Sequence, residues 1–225
     1  MMASVSFVLP VLNESAAIAA RLADLRERFP SDELIVVDGG SDDDTAALAS
    51  PLCDQLVQSA RGRALQMNAG AAAAHGEYLL FLHADTRPGV DAQSLQHYLV
   101  QRPGWGFCRV RLSGEEWWAR VISRFMNTRS RVTRVATGDQ MLFLKRELFH
   151  ETGGFDSIPL MEDVAYSKRL RRLAAPCVIH EPVTTSSRRW REQGVLRTVV
   201  QMWCLRLAYA LGVSPQRLHH HYYGG

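Results

Sequence analysis

Lysine is almost missing from this 225-residue chain: Lys145 and Lys168 are its only two, and arginine supplies the other cations. Cysteine is scarce as well. The four, Cys53, Cys108, Cys177 and Cys204, stand far apart without CxxC spacing, which argues against a zinc knuckle or a disulfide framework and reads as core thiols. No apolar run has the roughly 20 residues needed to cross a bilayer, because the longest, around 195–213, is broken by Arg197 and Arg206. The start, Met1-Met-Ala-Ser-Val5, lacks the charged, apolar and cleavage regions of a secretory leader, so a cytoplasmic protein is expected. Repeats and low-complexity linkers are also lacking.

Hydrophobic residues, 47% of the chain, suffice for one full core. The net charge of +3 conceals an asymmetry, since residues 1–60 hold ten acidic and three basic side chains and the remainder is strongly basic. Arginine forks bind phosphates and carboxylates, yet they serve equally as solvated helix faces. Charge alone therefore names no partner, and no nucleic acid is expected.

The most informative stretch is Glu77-Tyr-Leu-Leu-Phe-Leu-His83-Ala84-Asp85, an apolar strand-like run ending in two side chains that can hold metal or phosphate. Leu34-Ile-Val-Val-Asp38-Gly-Gly-Ser41 and Val5–Leu9, which leads into Pro10-Val-Leu-Asn13-Glu14, end in the same way. Three strands thus bring acids to one edge, where open α/β sheets keep their sites. Between them, Ile18, Leu22, Leu25 and Phe29 fall at helical spacing with Arg21, Asp24 and Arg28 on the other face. Asp42, Asp43 and Asp44 before Thr45 read as the start of a short helix. Leu56-Val57 reads as a short strand and 63–75 as an alanine-rich helix. Beyond Pro88 come a helix over 91–101, a strand over 106–112, a helix over 115–135, a strand over 140–144, a glycine turn at Gly153-Gly154 and a helix over 162–173. The alternation predicts an α/β fold, a Rossmann-like and mostly parallel sheet flanked by helices, with α+β additions in the last third. From Gln193 to Leu211 an apolar stripe, Leu196, Val199, Val200, Trp203, Leu207 and Leu211, has helical spacing. Packing on the domain is the ordinary expectation for it; a peripheral membrane contact or a homodimer contact is the alternative.

Taken in order, Pro10-x-x-Asn13-Glu14, Asp38-Gly-Gly-Ser41-x-Asp43-x-Thr45, His83-Ala84-Asp85, Gly153-Gly154-Phe155 and Glu162-Asp163 resemble the family 2 glycosyltransferases of GT-A fold over roughly residues 4–190. Within that family the chain looks most like small bacterial members, a subgroup of which is linked to arsenosugar biosynthesis. The resemblance implies one GT-A domain over 1–225: a nucleotide-sugar half at 1–90, an acceptor and catalytic half at 91–190 and a helical tail at 191–225.

It further implies that Asp38 contacts the nucleotide base, most often uracil, and that Pro10, Asn13, Glu14 and Ser41 line the same pocket. The segment Arg61-Gly62-Arg63-Ala-Leu-Gln-Met67-Asn68 resembles the family's donor-side helix, with Met67 where the family has arginine, so Arg63 and Asn68 are the candidates there. His83-Ala84-Asp85 stands in for an aspartate-x-aspartate metal motif. Read as a strand, it would turn His83 and Asp85 to one side, toward an ion bridging two phosphates. His83 is then either a ligand, which would favour Mn²⁺ over Mg²⁺, or a hydrogen-bond donor to ribose or phosphate. Glu162 and Asp163 open a helix whose positive end should keep both ionised, and Asp163 is the implied general base. Asp139, Gly154 and Phe155 match acceptor-side elements, although a core role is open for Phe155. Arg188, Arg189 and Trp190 would face the diphosphate, with Ser186-Ser187 where the family has glutamine.

The implied activity is inverting transfer of one sugar from a nucleotide-diphosphate donor, most often uracil-based in the family, to a hydroxyl acceptor. The rivals are a nucleotidyltransferase, which would want a lysine-bearing phosphate loop after the first strand, and a non-catalytic nucleotide-sugar binder or membrane-docking scaffold.

Overall fold

A computed structural model describes residues 2–223, so Met1, Gly224 and Gly225 at the ends of the expected 1–225 span lie outside it. The first half alternates as the periodicity requires: β1 (Val5–Val11), α1 (Ile18–Arg28), β2 (Glu33–Asp38), α2 (Thr45–Ala49), β3 (Gln55–Gln58), α3 (Arg63–Ala73) and β4 (Tyr78–Phe81). Then follow β5 (Thr86–Arg87), α4 (Ala92–Leu99), β6 (Trp105–Leu112), α5 (Trp117–Thr133), β7 (Leu142–Lys145), α6 (Arg146–Thr152), α7 (Glu162–Leu170), β8 (Cys177–Thr185), α8 (Arg188–Gln193), α9 (Val195–Ala210) and α10 (Pro215–Tyr223).

One eight-stranded sheet runs β3-β2-β1-β4-β7-β6-β8-β5. It is parallel through its first four strands and between β6 and β8. β7 runs antiparallel to both of its neighbours, and β5 antiparallel to β8, so the sheet is mixed where the chain leaves the β-α pattern. Alternate residues of the inner strands enter separate cores: Phe7, Leu9, Leu34 and Val36 pack on one face with Leu22 of α1, whereas Val8, Ile35 and Val37 pack on the other with Met67 of α3. Both faces are buried, which explains why these strands read as continuous apolar runs. Helix α3 lies so close that a Cβ on Gly70 would come within 2.7 Å of Val37.

Three features depart from the sequence reading. β4 stops at Phe81, and His83–Asp85 form a turn closed by the Thr86 amide donating to the His83 carbonyl at 3.0 Å; the argument that alternation aims His83 and Asp85 together therefore fails. β5, α6, β8, α8 and α10 have no counterpart in the sequence pattern. Finally, the apolar stripe of α9 does not pack on the domain. Leu205, on the opposite face, joins Val135, Met161, Val164 and Leu218 in a third core cluster, and Leu196, Val200, Trp203, Leu207 and Leu211 face outward.

Candidate active site

The loops leaving β1 and β2 are clasped together. Asn13, held at φ 55°, donates its amide to Ser41 Oγ at 2.9 Å and accepts from the Asp42 amide at 2.9 Å. Beside it the Glu14 amide donates to Thr45 Oγ1 at 2.7 Å and the Ser15 amide to Asp43 at 3.2 Å. Asp43 also accepts from the Thr45 amide at 3.0 Å, whereas Asp44, at the N-cap of α2, makes no side-chain cap bond. Asp38 is buried at the end of β2 and accepts from Ser41 Oγ at 2.5 Å. From α3, the buried Gln66 donates to the Val11 and Val37 carbonyls at 2.8 and 2.9 Å, tying the two strand ends to the helix. Asn13 and Ser41 thus build the rigid lip around Asp38, with Pro10 half-buried at its root.

Past this lip lies a cluster of carboxylates. Asp85 is exposed, and Ala84 before it is buried with its carbonyl held by Arg21 Nε at 3.0 Å. Arg21, assigned to the solvent face of α1 by periodicity, therefore positions the Ala84–Asp85 turn. Glu14 faces Asp85 and Arg188; burial first, then the Asp85 charge, push its pKa up, while Arg188 opposes them. His83 lies against Gly138, where a Cβ would come within 2.7 Å of its Nε2, and its Nδ1 is 4.0 Å from Asp139 Oδ1. Burial, reinforced by Arg63, lowers the imidazole pKa to about 3, so the ring is neutral. Asp139 is carried on the short 3-10 turn Gly138–Gln140, which the buried Gln140 anchors by accepting from Ser130 Oγ at 2.7 Å and the Thr137 amide at 3.1 Å. Its surroundings, and then the Asp85 charge, raise the Asp139 pKa to about 6, with Arg63 opposing.

The first turn of α7 completes the cluster. Asp163 accepts from the Gly138 amide and from the Val164 amide, both at 2.6 Å. Glu162 is buried, and burial together with the neighbouring Asp163 charge drives its pKa upward. At Glu162, loss of water and the Asp163 charge thus work against the helix N-terminus that was expected to keep both acids ionised. Met161, which precedes them, has φ 69°, a strained value for a side chain with a Cβ. Two guanidiniums that sequence reading missed, Arg129 of α5 and Arg206 of α9, face Asp163 and Asp139 from the other side; burial lowers both pKa values, that of Arg129 to about 10.

Other expected contacts go elsewhere. The Asn68 amide is bonded both ways to the Phe155 backbone at 2.9 Å, making it a strut from α3 to the glycine turn and not a donor contact. Phe155 is buried against Phe81 and Tyr166, with centroids 4.9 and 4.6 Å away, so no sugar stacks on it. Gly154, at φ 69°, packs on Asn68 and Phe149 and its carbonyl accepts from Arg169. Arg189 lies over the Tyr222 ring at 4.1 Å and bonds its hydroxyl, joining α8 to α10. Arg188 is left as the exposed cation beside Glu14, while Trp190 is half-buried in the same helix. Met67 is core.

Among the described residues no three His, Cys, Asp or Glu side chains converge as a closed metal site. The open alternative fits: Mg²⁺ and Mn²⁺ are commonly held by one or two carboxylates, with substrate phosphates completing the shell. Asp85 is exposed and crowds its neighbours Glu14 and Asp139 with negative charge. His83 sits beside this group with its ring edge packed on Gly138 and its Nδ1 4.0 Å from Asp139 Oδ1.

A sequence profile of glycosyl transferase family 2 matches residues 6–156, and the chain belongs to that family. No curated protein sequence matches it. Among solved structures it is similar to the mannosyltransferase PcManGT of Pyrobaculum calidifontis, in complex with GDP-Man and Mn²⁺, at TM-score 0.61 and 22% identity over 83% of this chain and 57% of that one. It is also similar to S. aureus TarS 1–349 in complex with UDP, at 0.66 and 15% over 81% and 60%. A third is glucosyl-3-phosphoglycerate synthase of Mycobacterium tuberculosis, in complex with Mn²⁺, UDP and glucosyl-3-phosphoglycerate, at 0.60 and 22% over 88% and 78%. These likenesses show a shared GT-A fold, and the chain spans less than two thirds of the first two proteins' lengths.

Proposed function

We propose that the chain transfers one sugar from a nucleotide-diphosphate sugar, UDP-linked by preference, to an acceptor hydroxyl with inversion, within the small subgroup linked to arsenosugar biosynthesis. The observation that carries this reading is the clustering of carboxylates from three chain segments: Asp163 of α7 bonded to the Gly138 amide, Asp139 on that same turn, and Asp85, whose charge acts on Asp139 and on Glu14 beside the Asp38 lip. Asp38 accepts from the imide of the base, and Glu14 lines the same pocket. Arg188 neutralises the departing diphosphate. When bound at Asp85, a divalent ion supplies further charge neutralisation there, with Mn²⁺ the preferred ion only if His83 turns away from Gly138 to meet it.

Asp163 serves as general base. Each of its oxygens accepts one backbone bond and keeps a second lone pair. It takes the proton of the acceptor hydroxyl as that oxygen attacks the anomeric carbon from the face opposite the leaving group. The bond to the diphosphate oxygen breaks as the new glycosidic bond forms, and one displacement inverts the centre. Residues 1–90 hold the donor, 91–190 the acceptor, and 191–225 form the helical tail.

The test is a release assay with a panel of UDP-, GDP- and dTDP-sugars, with Mn²⁺, Mg²⁺ or chelator, following hydrolysis when no acceptor is supplied. Nucleoside diphosphate released from one donor and lost in Asp85→Ala is the expected result. Pyrophosphate as product would make the chain a nucleotidyltransferase. Tight donor binding without release under any acceptor tried would favour a non-catalytic binder.

A further inference from the structure

Outside the cleft, α5 and α9 share an exposed apolar face. On α9, Leu196, Val200, Trp203, Leu207 and Leu211 follow one another at helical spacing and are 77%, 53%, 57%, 62% and 77% exposed. On α5, Trp117, Val121, Phe125 and Val132 are exposed too. Phe125 stacks on Trp203 with ring centroids 5.3 Å apart, so the two rows are one patch. Exposed apolar patches of this extent mark interaction surfaces.

Charge says what the surface fits. α5, α9 and α10 contain no acidic residue. Beside the apolar row of α5 and one residue out of phase with it, Arg120, Arg124 and Arg131 line a groove of about 660 Å³ against β6 and β8. Arg109, Arg111 and His180 line its other wall, its floor includes Phe107, Val110 and Val178, and no carboxylate borders it. None of these five arginines makes a salt bridge with a described carboxylate; Glu116, at the N-cap of α5, pairs with Arg191 of α8.

We propose that the α5–α9 face docks on an anionic lipid bilayer, its Leu, Val and Trp side chains entering the interface and the groove arginines meeting headgroup phosphates. A second copy of this chain would bring the same positive charge against it, and a nucleic acid offers nothing to a row of leucines and valines. No helix among the described residues is long and apolar enough to cross a membrane, so the chain lies on the surface.

The full-length chain is sedimented with vesicles of phosphatidylcholine alone or enriched in phosphatidylglycerol, at low and high salt, without any sugar donor, so the result stands apart from the transferase reading. Binding to the anionic vesicles, weakened by salt, is expected. Each arginine near a charged surface strengthens binding several-fold, so Arg120→Gln/Arg124→Gln/Arg131→Gln should weaken it by about 100-fold. Trp203→Ser/Leu207→Ser should weaken it about 10-fold or more, and the blue shift of Trp fluorescence on binding should shrink. These positions are exposed, and circular dichroism checks that the variants fold. No vesicle binding, or binding unchanged in both variants, overturns the proposal. So does a dimer in sedimentation velocity that Trp203→Ser/Leu207→Ser abolishes, or retention by poly-U in place of vesicles.

Discussion

The Asp163 carboxylate accepts a 2.6 Å hydrogen bond from the Gly138 amide, so the first turn of α7 and the turn bearing Asp139 are one piece. Replacing Asp163 by Asn removes the proposed base and, with one acceptor oxygen where there were two, one of the two backbone bonds. Turnover should fall by roughly 10²- to 10⁴-fold, with a stability loss of about 1 kcal/mol. Donor affinity by calorimetry should change little. A variant that retains more than about a tenth of the wild-type rate shows that Asp163 is not the base.

His83 and Gly138 fit each other without slack, since any Cβ on Gly138 collides with the imidazole. Gly138→Ala should therefore destabilise by about 1–3 kcal/mol and displace Asp139. His83→Ala should relieve part of this in the double variant, giving a cost below the sum of the two. Urea unfolding of the four proteins in the cycle measures it, and strictly additive losses would show that the contact does not matter.

Asp85 is the protein's proposed metal ligand, and oxygen ligands alone discriminate weakly between Mn²⁺ and Mg²⁺. With His83 against Gly138, activity should saturate with either ion, and Asp85→Ala should abolish the dependence on both. A strong manganese preference that His83→Ala removes would instead bring the imidazole into the metal's shell.

Glu33 is a structural acid with a clear pH signature. Its carboxylate meets the His75 amide at 2.9 Å and the His75 imidazole Nδ1 at 2.8 Å, and accepts from Ser6 Oγ at 2.5 Å and from Gln55 Nε2 at 2.8 Å. Against the cost of burial, these bonds lower its pKa from 4.5 to about 2. The folded state thus holds this proton less readily than the unfolded one. The stabilisation is complete above pH 4.5 and is lost as pH falls through about 2. After allowance for solvent it amounts to about 2 kcal/mol. Glu33→Gln should lower the urea midpoint at pH 7 and lose most of that difference as the pH is taken down toward 2; an equal deficit at both ends would exclude charge as the cause.

The sequence announces the donor half because each β-α unit there is local and its strands are buried on both faces, so the apolar runs stand out. β8 escaped notice because His180, Glu181 and Pro182 interrupt it, and only its pairing beside β6 makes it a strand. The α9 stripe is plain in the sequence, but periodicity gives a face without saying whether it looks inward. Asp38, Asp85, Asp139 and Asp163 could be picked out as chemistry-bearing residues at element ends. That Asn68 belongs to Phe155 and Arg189 to Tyr222 depends on partners 87 and 33 residues away, which no local pattern encodes. Arg21, Arg129 and Arg206 left a faint signal: each lies on a helix next to its apolar row.

The antiparallel ladder between β4 and β7 works as a ruler. Its final rung joins Phe81 to Leu142, and both chains leave the sheet there, one toward His83 and Asp85 and the other back toward Asp139 and Gly138. The two segments are thus set opposite each other by backbone hydrogen bonds before the packing of His83 on Gly138 fixes the final distance. Adding one residue between Leu82 and His83, or between Gln140 and Met141, would leave the rungs of the ladder available and still shift His83 against Gly138, bringing the wrong atoms face to face. Such a protein would keep its sheet and lose its chemistry, so the length of these two short stretches matters more than their composition.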